Sequence, residues 1–160
     1  MTDQPTYLED YANALGHVVL SHNALETAIA DLAERLWSID DPDIDTLRLM
    51  GRRSFDERLG LLAVQLNNPL VQKQFSQALI NAIDQLLARC RPIVQERHKA
   101  VHQSSKTFQV GSEVKWDGRL DDWEAVEALL SLSDRLDGLC EEAIVLCQRL
   151  AETRLADAGG

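Results

Sequence analysis

Apolar residues recur every three or four positions along most of the chain, which predicts amphipathic α-helices. The first stripe predicts one long helix that begins at Thr6, in a capping box with Glu9, and extends to Trp37. An acidic loop containing Pro42 ends this helix, and a short helix is expected over residues 46–50. The N-terminal third is therefore predicted to be helical, with one turn-rich interruption.

The middle of the chain has the same helical period. A second capping box, formed by Ser54 and Glu57, begins the next predicted helix, and an Asn-Asn-Pro sequence stops it. The pattern resumes at Leu70 and predicts one further helix to Val101, with a kink or a new turn at Pro92.

Between this helix and the last one, the period changes to that of a strand. Residues 107–110 and 113–116 flank Gly111-Ser112, a pair that favours a type II′ hairpin. Asp121 or Asp122 then caps a final helix, for which we expect the core-facing residues Trp123, Val126, Leu130, Leu136, Cys140, Ile144, Cys147 and Leu150. The predicted fold is all-α: an up-and-down bundle of three long helices and one or two short ones, with a small β-hairpin before the last.

Length and composition are consistent with that fold. A chain of 160 residues can bury a full core as one domain, here with a core over residues 7–155 and a flexible tail over 156–160. The three cysteines, Cys90, Cys140 and Cys147, lie within apolar stripes and lack metal-site spacing, so buried reduced thiols are expected. No signal-peptide-like or membrane-spanning stretch is evident, so we expect a cytoplasmic protein that does not contact a membrane.

Charge is distributed unevenly along the chain. The net charge is −10, yet residues 48–106 carry 10 basic and 4 acidic residues between two acidic flanks. One basic segment on an acidic protein suits a local phosphate site better than extended duplex binding, which needs many phosphate contacts. The alternative is that charge simply separates onto different solvated faces.

The basic segment contains the chain's densest group of chemically active residues, Glu-Arg-His-Lys-Ala-Val-His over residues 96–102. On a helix, His98 and His102 lie one turn apart on the same face, whereas Arg97 lies about 140° round from His102. With 12 arginines and 4 histidines in the chain, an Arg-to-His spacing of this kind is expected about once by chance. The spacing alone therefore decides nothing.

Three interpretations of this segment remain open from the residues. Arg97 and His102 could handle a phosphodiester, with His102 moving protons near neutral pH. His98 and His102 could instead form half of a metal site, completed by donors among His17, His22, Glu26 and Glu96. Finally, the segment could only cap and solvate a helix end near residues 103–105. His17, His22 and Glu26 lie near one another on the first helix, where such polar residues are usually satisfied at the helix edge.

The segment from Arg97 to His102 resembles the signature of the HEPN superfamily, which is an arginine, a polar residue, three to five further residues and a histidine. Also similar to the family are an early helix with Leu25-Glu26 and a helix start at Ser54-Phe55 before Arg58-Leu59. The resemblance spans about residues 7–155. The chain departs from common members in having His98 after the arginine, and Gln103 where glycine often follows the histidine.

The resemblance implies a metal-independent endoribonuclease without cofactor, often a toxin or anti-phage effector, that works as a homodimer with the two motifs facing across a cleft. His102 would activate the ribose 2′-hydroxyl or protonate the leaving oxygen, Arg97 would bind the scissile phosphate and His98 would orient the pair. The products would be a 2′,3′-cyclic phosphate and a 5′-hydroxyl. Glu26 would hold Arg97 by a salt bridge.

The expected partners are single-stranded RNA, a second copy of the chain and an antitoxin protein. Lys99, Arg91 and Lys106 are expected to contact the RNA backbone. The alternative is a catalytically inactive HEPN-like module that binds nucleotides or proteins, or that mediates dimerisation. The acidic flanks, which repel RNA beyond the immediate site, favour that alternative.

Overall fold

The structure, a computed structural model, describes residues 4–36, 54–107 and 123–158, with side chains described for 9–36, 54–102 and 123–153. These ranges contain five helices and no strand: α1 (Gln4–Leu36), α2 (Phe55–Gln65), α3 (Pro69–Gln74), α4 (Gln77–Thr107) and α5 (Trp123–Ala158). The all-α prediction with three long helices is confirmed for the described part of the chain. None of the helices in these ranges is both long and apolar enough to cross a membrane.

Helices α4 and α5 run antiparallel. Glu96 of α4 accepts two hydrogen bonds from the Arg135 guanidinium, at 2.7 and 3.1 Å. Seven residues earlier on α4, Arg89 pairs with Glu142, which comes seven residues later on α5. These two ion pairs fix the register of the helices, although each is exposed and is worth at most about 1 kcal/mol.

Helices α1 and α5 run parallel and make the most extensive contact in the molecule. Ser21 and Ser133 share a buried hydrogen bond between their hydroxyls at 2.9 Å. Further along both helices, the Cys147 thiol donates to the carbonyl of Ala28 at 3.7 Å. The chain therefore runs up through α1, down through α4 and up again through α5.

The core lies where these three helices and α2 meet. Its side chains are almost all aliphatic, and complete burial of each stabilises the fold by about 1.5–3 kcal/mol relative to exposure. The largest fully buried ones are Leu25, Ile29, Leu32, Leu36, Leu59, Leu62, Ile83, Leu86, Leu87, Leu136 and Leu150. The three long helices and α2 all contribute to this set.

The capping box predicted at Ser54 is confirmed. The Glu57 N–H donates to the Ser54 hydroxyl at 3.3 Å, and the Ser54 N–H donates to the Glu57 carboxylate at 3.2 Å. Ser54 itself is extended, with φ −61° and ψ 158°, as an N-cap requires. The cap places Phe55, the first residue of α2, in the core against α1.

The prediction of a single helix from Leu70 to Val101 is wrong, because the helix is interrupted at Phe75. This residue is extended, with φ −126° and ψ 150°, and its side chain is buried. Ser76 follows and accepts a hydrogen bond from the Leu79 N–H at 3.2 Å, which caps α4. Burying Phe75 and capping α4 together outweigh the helical bonds that continuity would have made.

The other boundaries also differ in part. α1 begins at Gln4, so Thr6 lies within its first turn and does not cap it. α4 continues through Pro92, which lacks only one intrahelical donor, and past the predicted end to Thr107. Thr107, the first residue of the predicted hairpin, is helical, and the rest of the hairpin lies outside the described residues. The short helix expected over 46–50 also lies outside them. α5 extends to Ala158, into the predicted tail.

The predicted buried face of α5 is correct only in part. Trp123, Leu130 and Ile144 are 44–47% exposed, whereas the buried positions include Leu129, Leu132, Leu139, Ala143 and Leu146. The helix carries apolar residues around most of its circumference, so two stripes fitted the sequence equally well. Because α5 packs against both α1 and α4, the buried stripe is the one that faces the groove between those two helices.

The thiols are free, as predicted. Cys90 and Cys147 are buried and Cys140 is partly buried. Burial raises the pKa of the Cys90 thiol to about 12, so it is protonated at neutral pH and is not a nucleophile.

The revised orientation of α5 can be tested with two leucines on the same helix. Leu136 is fully buried and Leu130 is 44% exposed. We expect Leu136→Ala to lower the free energy of unfolding by about 2–5 kcal/mol, because it leaves a cavity, and Leu130→Ala to cost less than about 1 kcal/mol. Urea denaturation of both variants measures this difference, and equal losses would contradict the orientation.

Candidate functional site

A pocket of about 370 Å³ opens between α1, the start of α2 and α4. Eight of its ten lining residues are polar or charged, and α4 contributes five of the ten. The lining residues are His22 and Glu26 of α1, Ser54, Phe55 and Asp56 at the start of α2, and Val94, Gln95, Arg97, His98 and Lys99 of α4. The pocket therefore gathers Arg97, His98, Lys99 and Glu26, four of the seven residues that the sequence singled out.

The rotation of α4 about its axis decides which side chains enter this pocket. Glu96 faces α5, where the hydrogen bonds from Arg135 lower the pKa of its carboxyl group. Arg97 follows about 100° round the helix and so faces α1 and α2. The pairing of Glu96 leaves the Arg97 charge in the pocket without an acidic neighbour on its own helix.

His22 lies deep in the pocket wall, with only 2% of its surface exposed. Its ring meets Phe55 edge to face, with centroids 5.3 Å apart. Neither ring nitrogen has a hydrogen-bond partner within the described part of the chain, and Nδ1 lies 3.6 Å from a Glu26 oxygen. The expectation that His22 is a satisfied residue at the helix edge is therefore wrong.

The surroundings of His22 favour its neutral form. Burial lowers its pKa below 6.5, the nearby Arg97 and Arg58 guanidinium groups lower it further, and the Glu26 carboxylate opposes them. At neutral pH, His22 is thus an uncharged imidazole that is held next to two cations.

Glu26 forms an ion pair with Arg58, whose Nη2 lies 3.5 Å from Oε2, and its Oε1 lies 3.6 Å from Nδ1 of the neutral His22 ring. Arg58 also stacks over the Phe55 ring at 5.6 Å from its centroid. Arg97, the partner expected for Glu26, makes neither of these contacts, and its Nε is buried without a hydrogen-bond partner in the described ranges. The expected salt bridge is thus replaced by one to Arg58.

His98 and His102 lie further out on α4 and are exposed. Their rings are parallel to within 1°, with centroids 6.4 Å apart, as expected one turn apart on one helix face. His98 lines the pocket, whereas His102 does not. Among the residues whose side chains are described, no group of three or more His, Cys, Asp or Glu side chains is placed to bind a metal ion.

The expected backbone-contacting residues separate in space. Lys99 lines the pocket and also a second one of about 490 Å³ on the other side of α4, towards α5. Arg91 is exposed and lies over α2, with Nη2 3.6 Å from where a Cβ on Gly60 would be, outside the pocket wall. Lys106 is on the helical part of α4, beyond the last described side chain of that helix.

The sequence pattern assigns no role in the site to Arg58 or Phe55, and it favours a structural role for His22. A signal for His22 was present, because it occupies an apolar-stripe position between Val18 and Leu25 on α1. A histidine at such a position is either matched by a buried partner or is part of a site. Arg58 carried no comparable signal, since its pairing with Glu26 depends on how α2 packs on α1.

The chain was compared with protein-family models, with curated proteins and with solved structures, and none of them matches it significantly.

The pKa of His22 leads to a test on stability. In the unfolded chain His22 binds a proton below about pH 6.5, but in the folded protein it does so only at lower pH, so unfolding takes up a proton in between. We expect the free energy of unfolding of the wild type to fall as pH decreases from 7.5 to 5.5.

The variant His22→Gln should lose most of this pH dependence, and His17→Gln, at an exposed position on the same helix, should retain it. Urea denaturation at both pH values measures the effect. An unchanged pH dependence in His22→Gln would show that another group is responsible.

Proposed function

We propose that the protein is a metal-independent endoribonuclease of the HEPN type, which cleaves single-stranded RNA with Arg97, His98 and His102. The observation that carries the proposal is the placement of Arg97 and His98 in one pocket with His22 and Glu26, next to an exposed His102 one turn along α4. A guanidinium and imidazoles are the groups that bind a phosphodiester and move protons near neutral pH.

In the proposed reaction, the 2′-oxygen of a ribose attacks the adjacent phosphorus and the bond from phosphorus to the 5′-oxygen breaks. His102 takes the proton from the 2′-hydroxyl or gives one to the leaving 5′-oxygen, and the other transfer falls to a second acid or base. Arg97 binds the non-bridging oxygens, on which negative charge increases in the transition state. The products are a 2′,3′-cyclic phosphate and a 5′-hydroxyl.

A second copy of the chain would complete the site. Arg97 lines the pocket and His102 does not, so we assign the two groups of one active site to different protomers. A symmetric dimer that apposes two α4 helices would place His102 of one protomer near the Arg97 pocket of its partner. This dimer follows from assigning the two groups to different protomers, and an antitoxin that covered the cleft would inhibit the reaction.

The second candidate is a non-catalytic module that binds a nucleotide or a partner protein. The separation of His102 from the pocket favours it, because ligand binding needs only the pocket whereas cleavage needs both. The acidic composition outside residues 48–106 favours it as well, since it restricts RNA contact to a few phosphates.

Cleavage assays distinguish these candidates. We expect the purified protein to cut single-stranded RNA in EDTA. His102→Ala should reduce the rate by about 10²–10⁴-fold through loss of proton transfer. Arg97→Ala should reduce it by about 10²–10³-fold through loss of transition-state stabilisation.

The matched controls are Arg89→Ala, on α4 but facing α5, and His17→Ala, both of which should retain activity.

A mixing experiment tests whether the site is shared between protomers. If it is, mixing the inactive Arg97→Ala and His102→Ala proteins should restore about a quarter of wild-type activity, because half the dimers are mixed and each mixed dimer has one intact site of two. Wild-type protein that leaves RNA uncut between pH 6 and 8 at low salt would refute the nuclease in favour of the module.

A further inference from the structure

His22 faces two acceptors when an anion enters the pocket. On one side its Nδ1 lies 3.6 Å from the Glu26 carboxylate, and Nε2 is buried without a hydrogen-bond partner in the described part of the chain. A neutral imidazole has one donor nitrogen and one acceptor nitrogen, whereas an imidazolium ion has two donors. Only the protonated ring can therefore donate to Glu26 and to an oxygen of a bound anion at the same time.

The charges around the His22 ring also favour its protonation when an anion binds. The pocket is lined by two cations and two carboxylates, which are Arg97, Lys99, Glu26 and Asp56, and by the His98 imidazole. Arg58 does not line the pocket but pairs with Glu26. The cations and carboxylates of the lining balance while His22 is neutral. A proton on His22 gives the lining a net positive charge, located deep in the pocket where the anion would bind.

The neutral ring is costly to keep in this position. A buried polar group without a partner destabilises the folded state, and such groups are uncommon in native structures. His22 and Arg97 each have a buried nitrogen of this kind and line the same pocket. A phosphate oxygen between them would provide an acceptor for both.

We propose that this pocket binds one phosphodiester group of a nucleic-acid strand between Arg97 and His22, and that His22 takes up a proton as the phosphodiester binds. The inference rests on the proposed function for its ligand class and adds His22 as a binding residue of that site. Without ligand, burial and then the Arg97 and Arg58 charges keep the ring neutral, and the anion offsets the repulsion between these cations and the proton.

The consequence is binding that strengthens as pH falls. Where His22 is neutral in the free protein and protonated in the complex, affinity should fall by up to about tenfold per pH unit as pH rises. Below that range the ring is protonated in both states, and the dependence should vanish.

The test uses hexathymidylate without terminal phosphates, because 2′-deoxyribose prevents cleavage and neither its phosphodiesters nor its bases titrate between pH 6 and 8. Calorimetric titration at low salt, in buffers of different ionisation enthalpy, gives both the affinity and the number of protons taken up. We expect the wild type to bind with net proton uptake and His22→Gln to bind with an affinity that is nearly independent of pH.

A control variant separates His22 from an exposed histidine on the same helix. His17→Gln, outside the pocket, should retain both the affinity and the proton uptake. NMR of the wild-type protein should show the His22 ring changing from the neutral to the protonated form when hexathymidylate is added at pH 7. This measurement uses no variant, so it does not depend on how any variant folds. Arg149→Gln, at an exposed position on α5, should leave the affinity unchanged.

Absence of binding, binding without proton uptake, or uptake that persists in His22→Gln would each overturn the inference. Failure of the nuclease proposal looks different, because the protein would then bind hexathymidylate with the expected proton uptake but leave RNA uncut.

Discussion

Burial of Leu86, Leu87 and Cys90 between the other helices fixes the rotation of α4 about its axis, and the side chains at the site depend on that rotation. The hydrogen bonds between Glu96 and Arg135 lie on the side of α4 that faces α5, which agrees with this rotation. Arg97, one residue on, must then face α1 and α2. Aliphatic packing supplies most of the stabilisation and the exposed ion pair supplies register, so the core directs the Arg97 guanidinium into the pocket.

The pocket keeps polar groups that a purely structural helix contact would have replaced. His22 occupies a position where leucine would fill the same stripe, and Phe55 and Arg58 pack around it. The unpaired nitrogens of His22 and Arg97 make this corner less stable than an aliphatic contact of similar volume. Natural sequences retain such losses where a site needs them, and the solvated-helix-end interpretation of residues 96–102 gives no reason for a buried imidazole opposite Arg97.

The sequence was sufficient for the fold class, because the helical period and the Ser54 capping box are local signals. It was insufficient where a choice depends on the neighbouring helix. The break at Phe75 depends on a buried aromatic ring, and the face of α5 depends on packing in the angle between α1 and α4. At the site, Arg97, His98 and Glu26 were identified by spacing and resemblance. Glu26 has Arg58 as its partner because of how α2 packs, which no local pattern encodes.

The shared hydroxyl hydrogen bond between Ser21 and Ser133 has a consequence for how this chain can diverge. Loss of one hydroxyl leaves the other buried without a partner, whereas replacing both by small apolar residues is nearly neutral. Relatives of the protein should therefore keep both serines or lose both together. Such paired variation would reveal the parallel register of α1 and α5 from sequences alone, across the 112 positions that separate the two residues.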